Sequence, residues 1–336
     1  MDLMSPMGRT LRRITTPLLA ASIVVTLAGN AAAAADDEPR ADAAMAYVGA
    51  HQQANGSFPG FSAIGSTADA VLDMAATGYD RVPDAIGYLR RQVRRGNVTG
   101  VGLTAKVVMA VEAAGDDPRN FGGENLIRHL RRVEGPRGRF GDAAVFDQAL
   151  VILALRSASV TPDALALGWL VDAQCPDGGW QFDHPHRATE NKHCRDVNDP
   201  SDFFFSDTNT TAYAVMALHG IATPYDPFAF FTAIRDAAYH GWGYTWGFRR
   251  TDANSTALVI QAYAGAGKIV PWRGARALRR LQYPCGAVAY SFTKDGRRTG
   301  RDVGASIGAV LGFLRKALPF DPVTLVPPWA TSCPAD

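Results

Sequence analysis

The chain has 336 residues, is 47% hydrophobic and 20% charged, and carries a formal net charge of +2. Without the N-terminal Arg9, Arg12, Arg13 and Asp2, its 34 basic and 32 acidic residues become equal in number. That balance speaks against a nucleic-acid partner, and beyond the N-terminus no stretch approaches the roughly 20 apolar residues that cross a bilayer.

The N-terminus has three parts. Arg9, Arg12 and Arg13 form a basic region, residues 17–29 are apolar, and Ala31 to Ala35 are small. This pattern predicts a secretory signal peptide over residues 1–35 and a secreted protein, extracellular or in the cell envelope. Ile14-Thr15-Thr16 behind Arg12-Arg13 fits ordinary export better than a twin-arginine signal.

From residue 41 onward two kinds of helix alternate. Residues 41–53, 83–95, 124–133, 162–174, 227–239 and 271–282 each have one apolar stripe and one polar or Arg-rich face, and several start at proline. Between them lie apolar helices that open on small residues: Ser66-Thr67-Ala68, Leu103-Thr104-Ala105, Asp147-Gln148-Ala149, Thr210-Thr211-Ala212, Ser255-Thr256-Ala257 and Ser306-Ile307-Gly308. These carry almost no charge and are expected to be buried all round, four of them stopping at Gly78, Gly115, Gly220 and Gly265. Alternation of the two kinds predicts an all-α (α/α)6 toroid over residues 36–318, two concentric rings with the apolar helices inside. Residues 319–336, with five prolines, read as an extended tail.

The loops joining each pair repeat a pattern. Gln53-Ala54-Asn55-Gly56-Ser57-Phe58 and Gln174-Cys175-Pro176-Asp177-Gly178-Gly179-Trp180 are its full copies. Residues 135–140, 240–244 and 282–286 are weaker ones. A glutamine at a helix end can bond free backbone groups of the neighbouring helix, glycine allows the left-handed turn, and the aromatic fills the gap between pairs. This Gln…Gly-x-Trp/Phe repeat resembles the prenyltransferase and squalene-cyclase repeat family, whose members are α/α toroids. The resemblance covers roughly residues 40–318.

That family implies chemistries that can be tested on residues. Squalene-hopene-like cyclases protonate an alkene with the middle aspartate of Asp-x-Asp-Asp-Thr-Ala. The corresponding stretch here is Asp207-Thr208-Asn209-Thr210-Thr211-Ala212, echoed by Asp252-Ala253-Asn254-Ser255-Thr256-Ala257 and by Asp302. The proton donor is replaced by Asn209, and an amide cannot deliver that proton. The aspartates have a simpler role as N-caps of the apolar helices. As a functional set, Asp207, Asn209, Asp252, Asn254 and Asp302 would form a polar rim at the ring mouth, with Trp242, Tyr244, Trp246 and Tyr263 as aromatic lining. No cysteine starts an inner helix, so the zinc site of the prenyltransferases is absent, and no thioester sequence exists. No metal or other cofactor is expected.

Cys175, Cys194, Cys285 and Cys333 make an even count, which favours two disulfides in an exported chain. Sequence neighbours suggest Cys175 with Cys194 and Cys285 with Cys333, out of three connectivities. The first loop, of about 20 residues, is worth roughly 3 kcal/mol. The longer interval from Gln181 to Phe205 holds Asp183, His184, His186, Glu190, His193, Asp196, Asp199 and Asp202, without the spacing of a known metal site, and ends at Phe203-Phe204-Phe205. Arginines cluster on outer helices, at 90, 91, 94 and 95, at 128, 131 and 132, and at 273, 276, 279 and 280. They read as a solvated outer ring that also offers a contact to the cell envelope.

These features predict an exported, non-catalytic toroid that binds a small apolar or amphipathic molecule, or an extracellular protein, at the ring mouth. The alternative is a cyclase-like enzyme with an atypical acid, Asp207 first and Asp252 second.

Overall fold

The structure, a computed structural model, describes residue 30, residues 33–183, Cys194 and residues 205–334. The expected signal peptide therefore lies almost wholly outside the described residues. His184, His186, Glu190, His193, Asp196, Asp199, Asp202, Phe203 and Phe204 lie outside them too.

The described chain is all-α in character, with one two-stranded ribbon. Its helices are α1 (Glu38–Ala50), α2 (Ala63–Thr77), α3 (Val82–Arg94), α4 (Val101–Ala113), α5 (Leu126–Arg132) and α6 (Val145–Ser157). They continue with α7 (Ala164–Asp172), α8 (Thr208–Ala217), α9 (Pro227–Ile234), α10 (Ala253–Gly265), α11 (Trp272–Leu281) and α12 (Val303–Leu314). The ribbon pairs β1 (Val288–Ala289) antiparallel with β2 (Arg301–Asp302) just before α12. None of the described helices is long and apolar enough to cross a membrane.

The even-numbered helices pack in chain order, α2 on α4, α4 on α6, α6 on α8, α8 on α10 and α10 on α12, and α12 returns to α2. They are the apolar set, with cores such as Val107, Val108, Leu150, Leu153, Ile260 and Val310 fully buried. The odd-numbered helices from α3 to α11 lie outside them and bury one face, through Leu89, Leu130, Leu170, Phe231 and Leu278, whereas α1, expected to keep a polar face, is buried all round from Ala44 to Gly49. Two expected boundaries move. The helix expected over 227–239 stops at Ile234, because Asp236 turns the chain: its Oδ1 accepts from Ala238 N, and its Oδ2 accepts from Thr251 N and Oγ1. The left-handed glycine after α10 is Gly267, while Gly265 remains helical.

The repeated loops act as clamps between successive pairs. Gln174 Nε2 donates to Gly178 O in its own loop and to Tyr225 O ahead of α9, while its Oε1 accepts from Tyr225 N. Gln282 Nε2 donates to Gly286 O and to Arg40 O on α1, so the last repeat grips the first. The loop glycines have φ between 79° and 108° at Gly56, Gly138, Gly178 and Gly286. A side chain on each would collide with the first turn of the next outer helix: Asp84 O, Leu165 C, Asp226 O and Ala43 O respectively. After Gly286 the place is taken by Val288, while in four of the repeated loops it is an aromatic, Phe58, Phe140, Trp180 or Trp242, that is fully buried. Its N–H donates to Thr67, Gln148, Thr211 or Thr256 of the adjacent inner helix at 2.9–3.1 Å.

Both disulfides join the sequence neighbours, Cys175 with Cys194 and Cys285 with Cys333. The tail crosses the C-terminal ends of the inner helices. Lys316 Nζ donates to Ala76 O, Val323 N to Ala75 O and Val326 N to Gly78 O, before Trp329 meets the Tyr79 ring.

Gly96 and Gly286 separate two costs. Both have positive φ, but a Cβ at Gly96 meets nothing, whereas one at Gly286 meets α1 across the first–last junction. Gly96→Ala should cost about 1 kcal/mol and Gly286→Ala clearly more, roughly 2–4 kcal/mol, in urea midpoints. Equal losses would mean that the loop does not clamp α1.

Candidate functional site

The inner helices leave an axial cavity of about 310 Å³ that all six of them line. A wider groove of about 1020 Å³ at the α1–α11 seam is open to solvent and lies on the outer surface. The axial cavity is apolar on one side, with Leu72, Phe146, Leu258, Ile307, Leu311 and Leu318. Its polar side is unexpected in helices read as nearly uncharged: Asp69 and Asp73 from α2, Lys106 from α4, Asn209 and Tyr213 from α8, Asn254 and Gln261 from α10.

Asp69 and Asp73 are one turn apart on α2, so both side chains leave the helix on the same face. Their surroundings differ. Lys106 Nζ reaches both oxygens of Asp69, at 3.0 and 2.8 Å. Burial opposes the ammonium charge, but Asp69, Tyr213 and Asp147 around it outweigh that, and its pKa is raised. Asp73 is only 2% exposed, and no cation pairs with it among the described residues. Burial, then the negative charge of Asp69, pushes its carboxyl well above the usual range, which favours the neutral acid. Tyr213 is raised to about 12, by burial first.

Among the described residues, four buried oxygens of this cavity have no hydrogen-bond partner: Asp73 Oδ2, Asn209 Oδ1, Asn254 Oδ1 and Gln261 Oε1. A buried acceptor left unsatisfied costs about 1–3 kcal/mol, so four converging on one cavity call for a donor-bearing guest. Space is cleared for them. Gly308 on α12 faces Asn254, where any Cβ would collide with the amide oxygen.

The residues singled out from the sequence divide among four places. Asn209 and Asn254 line the cavity. Asp207, Asp252 and Asp302 cap α8, α10 and α12, accepting from Thr210 N, Ser255 N and Ala305 N at 2.7–2.8 Å. Trp242 is fully buried with its Nε1 donating to Phe231 O at 2.7 Å, and Tyr263 packs edge-on against Phe228. Tyr244 is exposed beside Asp207, and Trp246 sits near Asp177. The first residue of each motif thus caps, while the third residue of the two full copies faces the cavity.

Asp69, Asp73, Lys106 and Gln261 escape the sequence reading. The available signal is two carboxylates four residues apart in an otherwise apolar helix, with one lysine in the next apolar helix. Among the described residues no group of three or more His, Cys, Asp or Glu is placed to hold a metal ion.

Among solved structures, the chain is similar to a glycosidase variant in complex with glucose, with a TM-score of 0.51 at 14% identity, covering 83% of this chain and 96% of that one. It is likewise similar to a protein from Actinoplanes, with a TM-score of 0.51 at 15% identity, covering 84% and 98%. No family model and no curated protein matches. At such identity the likeness is one of fold: the chain shares a mainly helical architecture with glycosidase-like proteins.

The capping aspartates give a pH-dependent stability. Burial raises Asp207 to about 7 and Asp252 to about 6, against the N–H bonds that favour their ionised forms. Both therefore bind protons more tightly folded than unfolded, so stability should fall as pH rises from about 4 to about 7, by at most about 1.4 kcal/mol per pH unit per group. Asp207→Asn keeps the cap acceptor and removes one titration. Its thermal midpoint should match wild type near pH 4 and exceed it at pH 7; parallel curves would show that Asp207 does not titrate in this range.

Proposed function

We propose that the protein is an exported (α/α)6 toroid that takes a small, uncharged, hydroxyl-rich molecule into its axial cavity and cleaves a glycosidic bond there. The observation that carries this reading is the pairing, in one cavity, of a buried carboxyl without a cation and a lysine-bound carboxylate. Two acids in contrasting environments are what separates an acid role from a base role.

The closed circuit of inner helices and the grip of Gln282 on α1 support the toroid. Two disulfides and the N-terminal pattern support export. The four orphaned acceptors ask for donors, which hydroxyl groups supply, and the cavity is at the lower end of ligand-pocket volumes, room for roughly one or two sugar rings. A solved glycosidase with glucose bound shares the fold. In this reading the Asp73 carboxyl gives its proton to the glycosidic oxygen as the bond from anomeric carbon to oxygen breaks. Water adds to that carbon and passes its proton to the Asp69 carboxylate, and Lys106 holds that carboxylate in place. Glycoside and water become sugar and alcohol, and one proton moves from Asp69 back to Asp73 through solvent.

This differs from the apolar, non-catalytic carrier that the sequence alone suggests, because the cavity wall holds charge and amides. It differs from the cyclase alternative because Asn209 and Asn254 bring amides to the cavity where the cyclase motif brings its acid.

Asp73→Asn removes the acid and keeps the shape. With a panel of nitrophenyl glycosides, hydrolysis should fall by roughly 10²- to 10⁴-fold while sugar binding by calorimetry persists. No hydrolysis across the panel by wild type, with binding intact, would favour a carrier and sink the enzyme reading.

A further inference from the structure

We infer that the mouth of the axial cavity carries a rim of exposed aromatic rings, Phe182, Tyr244 and Tyr290, that docks the remainder of an oligosaccharide whose end enters the cavity. This rests on the sugar reading of the cavity and adds to it the chain length of the substrate.

The three rings are placed by one device used three times. The main-chain carbonyl of each ring's residue accepts the N–H of a first-turn residue of an inner helix. Phe146 N of α6 donates to Phe182 O at 3.1 Å, Thr208 N of α8 to Tyr244 O at 2.8 Å, and Ala253 N of α10 to Tyr290 O at 2.8 Å. Those donors are orphan groups that every helix start leaves free, so a neighbouring loop satisfies them and hangs its side chain beside the mouth. Consecutive inner helices carry them, one ring per repeat, so the rings step around the mouth at about the 8–10 Å of packed helices.

The rings are exposed by 47, 38 and 46% respectively, whereas the aromatics of the repeated loops, Phe58, Phe140, Trp180 and Trp242, are fully buried. One of them, Phe182, is continuous with the cavity. Phe182 stacks on Phe146 at 5.3 Å between centroids, and Phe146 meets Tyr213 edge-on at 5.3 Å, both of them cavity-lining residues. Phe61, which lines the cavity from the loop before α2, is fully exposed. Polar groups alternate with the rings, since Tyr244 lies beside Asp207 and Tyr290 beside Asp252 and Asp302. Those acids are held as helix caps, so the exposed surface is the rings themselves, two of them bearing a phenolic hydroxyl, and such rings suit a chain with apolar C–H faces and hydroxyl edges.

Calorimetric titration with α-1,4-glucan, β-1,4-glucan and chitin oligomers of one to six units tests this. In one series, wild-type affinity should rise with chain length. Tyr244→Ala and Tyr290→Ala should each weaken the six-unit oligomer roughly three- to tenfold and leave the single sugar unchanged, with Tyr244→Phe close to wild type. Affinity independent of length, or alanine variants equal to wild type, overturns the rim. If the rim variants lose the long oligomer but Asp73→Asn changes neither binding nor turnover, the rim stands and the cavity reading fails. If no oligomer in any series binds, both fail.

Discussion

A loop that sets a glutamine and a left-handed glycine against the next outer helix, complete at Gln174 with Gly178 and at Gln282 with Gly286, is the contact from which the architecture grows. Each inner helix is short and apolar, and each outer helix from α3 to α11 has only one face to bury, so no pair is stable alone. The clamp converts a chain of marginal pairs into an assembly by satisfying backbone groups at the start of the following pair. It also leaves no room for error, since the glycine lies against backbone rather than against a flexible side chain. The same contact made by Gln282 and Gly286 on α1 means that the first and last pairs meet as neighbours do.

Because successive pairs are held in register, their inner-helix starts share one side of the molecule. This explains why a cap residue and a cavity residue can sit two positions apart yet behave so differently. Asp207 and Asp252 turn back onto the helix they cap and are held by N–H donors. Asn209 and Asn254, inside the first turn, face the axis. The helical period of 3.6 residues, applied to six helices around one axis, sorts the residues into caps, contacts and lining.

The cavity is kept at the expense of stability. Asp73 is buried without a cation, three amide oxygens lack partners, and Lys106 is desolvated and offset only by its acidic neighbours. Such groups persist where a ligand completes them, and an apolar filling of the same volume would have been more stable. Local rules thus hold throughout the outer ring and the loops and are broken at the axis, which is the pattern of a functional site.

The sequence by itself determined the helix pairs, the repeated loops and the caps at Asp207, Asp252 and Asp302. Each of these is a local or periodic property, carried by turn glycines, helix starts and spacing within one repeat. Of the lining of the axis it revealed Asn209 and Asn254 but not the charges beside them. Asp69, Asp73, Lys106 and Gln261 come from three inner helices separated by up to about 190 residues, and only their rotation about the common axis brings them together. Trp242 and Tyr263 have the composition of a binding wall but are turned into the core, since their helix and loop present the opposite face to the axis. Tertiary structure decided which charges in apolar helices meet, because that depends on helix rotation and ring closure, quantities that no single repeat encodes.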